Sequence, residues 1–285
     1  MVKLLSEWAP AKINLFLRIT GRRPNGYHEL DSIFIPVSLH DRIDIELRPA
    51  NSAAVQLFCD SDAIPGGEHN LAFIAAREFL NEFGLHAEVL IRLYKQIPAA
   101  AGLGGGSSDA GAVLRMMVEL CRTGQPDSLL TLATRLGADV PFFLNPAPSR
   151  VRGIGEICEP LGRIELAFLL IAVPPIEVAT AAVFHALRPE NWSGPAPDRD
   201  VQEIVGGRIG AHQIVNDLEQ VAVAKWPQIG ELKGWLQELG ARAAGMTGSG
   251  GAVFGIFDSH EHASAAGRQI ARRAPRVKLF NAAAL

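Results

Sequence analysis

Ala101-Gly102-Leu103-Gly104-Gly105-Gly106-Ser107-Ser108-Asp109-Ala110 sets four glycines and two serines directly ahead of an apolar stretch with helical spacing. Glycine lets successive backbone N–H groups turn inward and lets the chain approach a ligand closely. The helix that follows, expected from about Ser108 to Arg122, adds unpaired amides and the positive end of its dipole. Val113, Met117 and Leu120 fall at i, i+4 and i+7 on its buried face. The hydroxyls of Ser107 and Ser108 suit phosphate oxygens or magnesium. The segment is neither G-x-x-x-x-G-K-[ST] nor G-x-G-x-x-G. It reads as an anion cradle of another design. A flexible turn with a serine cap is the weaker alternative, because ordinary turns seldom need three consecutive glycines.

Upstream of this loop the pattern is mostly of strands. Ile13, Leu15 and Leu17 alternate with Lys12, Asn14 and Phe16, so a strand presents Lys12 and Asn14 on one face. Asn25-Gly26 marks a turn, and 33–37 and 42–47 read as two further strands. Residues 70–83 carry a helical stripe of Leu71, Ile74, Ala75, Phe79 and Phe83, and Val89–Leu93 is a short strand. Downstream, a helix is expected from Asp127 as N-cap to Gly137. The pattern restarts near Arg152-Gly153-Ile154-Gly155-Glu156, and an apolar strand follows at 166–173. A proline-rich polar loop spans 188–200. Helical patterns occupy 201–210, 213–226, 228–240 and 260–273, with a loop at 245–251 and strands at 252–257 and 277–280. Strands and helices mix without regular βαβ alternation, which implies an α+β fold in two lobes joined near residue 150.

Bulk properties narrow the function classes. The 285 residues are 48% hydrophobic with a net charge of −3, which argues against a general nucleic-acid binder but not against a local anion site. Cys59, Cys121 and Cys158 form no CxxC pair, so neither a disulfide framework nor a structural zinc site is expected. The longest apolar run is about half the length of a membrane span. A cytoplasmic protein with no membrane or nucleic-acid partner is the expectation.

Three ordered segments, Pro10-Ala11-Lys12-Ile13-Asn14-Leu15, Gly102–Ala110 and Met246-Thr247-Gly248-Ser249-Gly250-Gly251, resemble the motifs of the GHMP kinase superfamily. Gly26-Tyr27-His28-Glu29-Leu30, Gly137-Ala138-Asp139-Val140-Pro141, Gly153-Ile154-Gly155-Glu156 and Asn216-Asp217-Leu218-Glu219 sharpen the likeness to one branch of it. The resemblance runs from Ala9 to about Phe257. It implies an N-terminal lobe similar to ribosomal protein S5 domain 2 (1–155, binding ATP) and a ferredoxin-like C-terminal lobe (156–285). It also implies transfer of the γ-phosphoryl group of ATP to the 2-hydroxyl of a CDP-linked methylerythritol in the non-mevalonate isoprenoid route. ATP and the alcohol would meet between the lobes.

The same resemblance assigns roles by position. Asp139 and Lys12 would be catalytic, one against the substrate hydroxyl and the other beside it. Asn14 would orient that hydroxyl. ATP would lie against Pro98, Ala99, Ala100, Ala101, Gly102, Leu103, Gly104, Gly105, Gly106, Ser107 and Ser108, with Asn70 near the adenine. Tyr27 would stack on the cytosine, His28 would bond its edge, and Phe184 would cover the other face with Thr180 one turn before it. For Phe184, plain core packing stays open. Ile154, Thr247 and Gly248 complete the substrate set, although Gly245–Gly251 reads nearly as well as a simple turn. No dedicated metal carboxylate is expected; magnesium would ride on phosphates with Ser107 or Ser108. Two departures stand out: Pro98-Ala99-Ala100-Ala101 is poorer in glycine than the family lead-in, and Ser149-Arg150-Val151-Arg152 is more basic. Rival readings are a GHMP kinase for a smaller alcohol and a non-catalytic nucleotide sensor.

Overall fold

Two long strands open the chain, β1 (Lys3–Arg22) and β2 (His28–Pro49), and they pair with each other. Between them Gly26, at φ +90°, closes the expected turn, its amide donating to the Arg23 carbonyl. The segments 33–37 and 42–47 are one continuous strand. No glycine or proline interrupts the chain after Pro36, and the pleat continues through buried Leu39 and Asp41. The computed structural model describes residues 2–62, 64 and 66–285. They form two compact units, the first drawn from the described residues of 2–11, 40–99 and 104–146, the second of Lys12–Leu39, Ala100–Leu103 and Ala147–Leu285.

In the first unit β3 (Ala54–Cys59) runs parallel to β4 (Ala87–Tyr94), so a crossover is required; α1 (Leu71–Glu82) supplies it. Strand β4 pairs antiparallel with β2, setting Ile43 opposite Leu93 and Leu47 opposite Val89. Val89, Ile91 and Leu93 are buried while Glu88 and Arg92 are exposed, as period two demands. Helix α2 (Gly105–Cys121) packs on α1. The buried face of α1 is Ala72, Phe73, Ala75, Ala76, Phe79 and Leu80; Leu71, Ile74 and Phe83 are only half-buried. Small alanines let the two helices approach, and that turns the stripe away from the bulkier residues. The N-cap of α3 (Pro126–Leu136) is Gln125, two residues before the expected Asp127, because Pro126 fixes the first helical position; Asp127 sits in the first turn.

The second unit carries β5 (Ser149–Gly153) and β6 (Ile157–Pro160), a hairpin whose first strand pairs antiparallel with the N-terminal half of β2. Then come β7 (Leu169–Val173), α4 (Thr180–Ala186), α5 (Asp198–Val205), α6 (Glu219–Lys225), α7 (Pro227–Glu238), β8 (Ala243–Met246), β9 (Val253–Ile256), α8 (His260–Arg273) and β10 (Lys278–Ala282). The sheet order is β10-β7-β9-β8, every pair antiparallel. Numbered by chain order that is 4-1-3-2, the β-α-β-β-α-β arrangement of a ferredoxin-like lobe with α4 to α7 in the first crossover. The single helix expected over 213–226 begins only at Glu219. Leu17 captures the preceding segment, donating to Val215 and accepting from the Asp217 amide, which holds it extended. Strand β8, Ala-Ala-Gly-Met, has no β-branched residue to announce it. Cys59, Cys121 and Cys158 form no disulfide, and among the described residues no helix is long and apolar enough to cross a membrane.

Candidate active site

The glycine loop folds into the helix it precedes. Gly104 takes the left-handed conformation at φ +73° as the N-cap, and its carbonyl accepts the Ser108 amide at 2.8 Å. Helix α2 therefore begins at Gly105, three residues before the expected start. Its first turn is Gly105-Gly106-Ser107, whose amides have no partner within the helix. Gly102 is at φ +76°, and a Cβ there would lie 2.3 Å from the Thr247 carbonyl oxygen. The alanine-rich lead-in leaves its mark at Ala100, held left-handed at φ +51°, a strain of about 1–2 kcal/mol. Leu103 accepts the Lys12 amide at 2.9 Å, and Ser108 Oγ donates to the Pro10 carbonyl at 2.6 Å. Ser108 is fully buried, which leaves Ser107 as the more accessible of the two hydroxyls.

Lys12 and Asn14 share a face, as the alternation required. Both are buried, at 3% and 1% exposure. Lys12 Nζ donates to Asn14 Oδ1 at 2.7 Å and lies 4.5 Å from the centre of the Phe34 ring. Asn14 Oδ1 also accepts the Gly248 amide at 2.8 Å, while its Nδ2 donates to Ser32 Oγ at 2.9 Å. Its own amide donates to Thr247 Oγ1 at 3.0 Å. Asn14 is thus a hub that aims the lysine and ties the 245–251 loop to β1. Asn216 braces the same loop, donating from Nδ2 to the Met246 and Gly248 carbonyls at 2.9 Å each. Glu219 accepts the Met246 amide and pairs with Lys233.

Asp139 is half-buried in the turn after α3. Val140, Phe142 and Phe143 anchor that turn in the core, and Arg115 donates to the Phe143 carbonyl. Gly111 of α2 passes so close that a Cβ would sit 2.5 Å from Phe143 Cβ. Asn70 is the N-cap of α1, its Oδ1 accepting the Ala72 amide at 2.9 Å.

A buried charge cluster stands behind the α2 start, and nothing in the sequence spacing pointed to it. Lys95 Nζ donates to Asp41 and to Asp109, the latter at 2.6 Å. Asp41 Oδ1 accepts the Gln96 and Ile97 amides at 2.6 and 2.8 Å. Asp109 Oδ1 is buried without a hydrogen bond. Burial raises the Asp109 carboxyl to about 8 although the Lys95 ammonium pulls it down; the Asp41 charge adds to the rise. The cluster links the segment before Ile97-Pro98 to α2 at Asp109, just past its first turn.

In the second unit His28 and Phe184 meet, their ring centres 5.5 Å apart. Tyr27, next to His28 in sequence, is 59% exposed. Arg23 shapes this turn: its amide donates to the Tyr27 carbonyl at 2.7 Å, and its guanidinium pairs with Glu29 and Glu156, each at 3.0 Å. Glu156 folds back to accept the Ile154 amide. Thr180 Oγ1 lies 2.7 Å from Ser249 Oγ. The basic excess at 150–152 is neutralised internally, with Arg150 bidentate to Asp31 at 2.8 and 2.9 Å and Arg152 paired with Glu159.

The GHMP kinases N terminal domain model matches residues 70–145, and the GHMP kinases C terminal model matches 207–276. The chain is 39% identical over 270 residues to the 4-diphosphocytidyl-2-C-methyl-D-erythritol kinase of Syntrophotalea carbinolica, covering 93% of this chain and 94% of that one. It is 39% identical over 274 residues to the enzyme of the same name from Geobacter metallireducens, at 94% and 95% coverage. A crystal structure of 4-(cytidine 5'-diphospho)-2C-methyl-D-erythritol kinase superposes with a TM-score of 0.83 at 35% identity, covering 99% of this chain and all of that one. A homoserine kinase from Cytophaga hutchinsonii shares the fold, with a TM-score of 0.74 at 17% identity over 99% and 94% of the two chains. This chain belongs to the 4-diphosphocytidyl-2-C-methyl-D-erythritol kinase family of GHMP kinases.

Proposed function

We propose that the chain transfers the γ-phosphoryl group of ATP to the 2-hydroxyl of 4-(cytidine 5'-diphospho)-2-C-methyl-D-erythritol, a step toward isoprenoid precursors by the non-mevalonate route. Gly106 carries the nucleotide half of this reading. It lies in the first turn of α2 with nothing within 4 Å of where a Cβ would stand. Alanine would fit there, and helix propensity favours alanine over glycine by about 1 kcal/mol. An exposed glycine that the fold does not need suits a polyphosphate lying against the amides of Gly105, Gly106 and Ser107.

That interpretation has a direct check. Gly106→Ala is expected to leave thermal stability unchanged or slightly raised, and to raise KM for ATP about 10-fold or more, near 1.4 kcal/mol of lost binding. An unchanged KM for ATP would remove the cradle from the argument. Magnesium, carried in on the phosphates and met by Ser107 or Ser108, would neutralise charge on the transferred group; Ser107 is the better placed because the Ser108 hydroxyl is already committed to Pro10.

The chemistry at the acceptor follows from acidities. An alcohol ionises near the pKa of water, about 16, and an aspartate near 4, so prior deprotonation spans about 12 units or roughly 16 kcal/mol. That is too steep for a fast enzyme. Asp139 therefore accepts the proton late, once the phosphoryl group has reached the oxygen through a loose transition state. Lys12, aimed by Asn14, neutralises charge on the γ-phosphate. Tyr27, His28 and Phe184 hold the cytosine, with Ile154, Thr180, Thr247 and Gly248 nearer the rest of the substrate. The division into an ATP-binding domain, 1–155, and a second domain, 156–285, and a cytoplasmic setting in keeping with cysteines that form no disulfide, belong to the same reading.

A coupled ADP-release assay with the CDP-alcohol, homoserine and mevalonate tests the substrate. Turnover of the CDP-alcohol alone is expected. Turnover of either small alcohol without it would discard the assignment.

A further inference from the structure

Resting on the base-site reading above, we propose that Trp192 is a positioning residue for the substrate's base, acting by fixing the plane of the His28 ring. The His28 ring touches two others: Phe184 lies 5.5 Å away and tilted 32° to it, and Trp192 lies 6.0 Å away at 85°. One neighbour is roughly parallel and the other nearly perpendicular, so together they restrict rotation about both side-chain torsions of His28. Aromatic pairs in these two arrangements are favourable in themselves. The indole Nε1 of Trp192 is buried without a hydrogen bond, so the ring is held by packing and not by its polar atom.

The segment bearing Trp192 is built as a fixed wall. It lies in the proline-rich stretch 188–200, where a loop of this composition would ordinarily be mobile. Two buried acids immobilise it. Asp217 accepts the Ser193 amide at 2.9 Å and the Ser193 hydroxyl, and it also takes the Ile19 amide of β1 at 2.7 Å. Asp31, three residues after His28, accepts the Ala196 amide at 2.8 Å and is itself clamped by Arg150. On the other side Asn191 Nδ2 donates to Gln220 Oε1 at 3.2 Å, and the Trp192 amide donates to the Pro189 carbonyl. Trp192 is pinned at the residue before it and the residue after it. Such ordering in the free protein lowers the entropy lost on binding.

The environment also sets the protonation of His28. Burial lowers its pKa, and the nearby Arg22 charge lowers it further. The neutral imidazole offers one donor and one acceptor, which suits the mixed edge of a cytosine.

Trp192→Ala, Trp192→Phe and His28→Ala in the full chain test the idea, with cytidine 5′-diphosphate binding read by titration calorimetry beside steady-state kinetics. Trp192→Ala is expected to weaken CDP binding and raise KM for the CDP-alcohol by about 3- to 10-fold, the worth of one aromatic pair. Its KM for ATP should stay near wild type, and Trp192→Phe should restore most of the loss. If CDP affinity is unchanged in Trp192→Ala but falls in His28→Ala, the role of Trp192 is wrong while the base site stands. If neither substitution affects CDP binding, the base site falls as well and takes this role with it. A rise in KM for ATP equal to that for the CDP-alcohol would mark general damage and overturn the proposal. Should Trp192→Ala not fold, Trp192→Leu, which fills space without an aromatic ring, gives the same comparison.

Discussion

Replacing Asp139 with alanine is expected to lower kcat at least 100-fold, roughly the lower bound for losing a positioned proton acceptor, while KM for ATP stays within about 3-fold. The split follows from where the residue sits. Its turn is held by buried Val140, Phe142 and Phe143 and by Arg115, and the adjoining Phe142–Leu144 helical turn uses no side-chain cap. Truncating the carboxylate leaves those anchors intact. Proton acceptance is needed only as the new phosphate ester forms, so the loss belongs to the transition state and not to binding. Asp139→Asn keeps the shape and should be nearly as slow. Activity within a few-fold of wild type for either variant, measured by ADP release, would end the catalytic assignment.

The second large effect is on stability. Lys95→Met is expected to destabilise the fold by about 3–5 kcal/mol at neutral pH, the range for breaking a buried ion cluster by removing one partner. Lys95, Asp41 and Asp109 are all nearly inaccessible, and without the ammonium nothing offsets the two buried carboxyl groups. Asp109, already raised to about 8 by burial, is then pushed higher still. A carboxyl shifted that way loses stability as pH rises through the interval between the two values. The deficit should accordingly stay level from about pH 5 to 7 and deepen from about pH 8 to 10, where wild-type Asp109 ionises beside the ammonium and the variant's does not. Adding Asp109→Asn should recover part of it, since that change removes the acid the variant must hold unionised in the fold. Denaturant unfolding of the three proteins across that pH range measures this, and a pH-independent deficit would show that lost packing of the lysine stem, not charge, is responsible.

Local patterns carried much of this protein into view. The Lys12/Asn14 face, the 42–47 alternation and the last helix, His260–Arg273, stand where the spacing placed them, because side-chain period is a property of the backbone itself. The four glycines announced a helix start, but not that Gly104 would be the cap. Only the left-handed bend at that residue, set by the Ser108 amide reaching back to it, moved the helix three residues earlier. A helix over 213–226 looked sound from its pattern and lost its first turns to Leu17, because edge backbone groups of a distant strand outcompeted a weak local preference.

What the sequence determined by itself was the set of groups on offer: a glycine-rich loop ahead of a helix, a strand lysine, an aspartate in a proline-ended turn and a Tyr27-His28 turn. Tertiary structure alone decided which residues aim and hold those groups. Asn14 as a hub, the Asp41–Lys95–Asp109 cluster and Trp192 beside His28 each join positions from 14 to well over 100 residues apart. Hydrogen bonds and ring contacts depend on distance in space, and no spacing along the chain encodes a distance that the fold has yet to create.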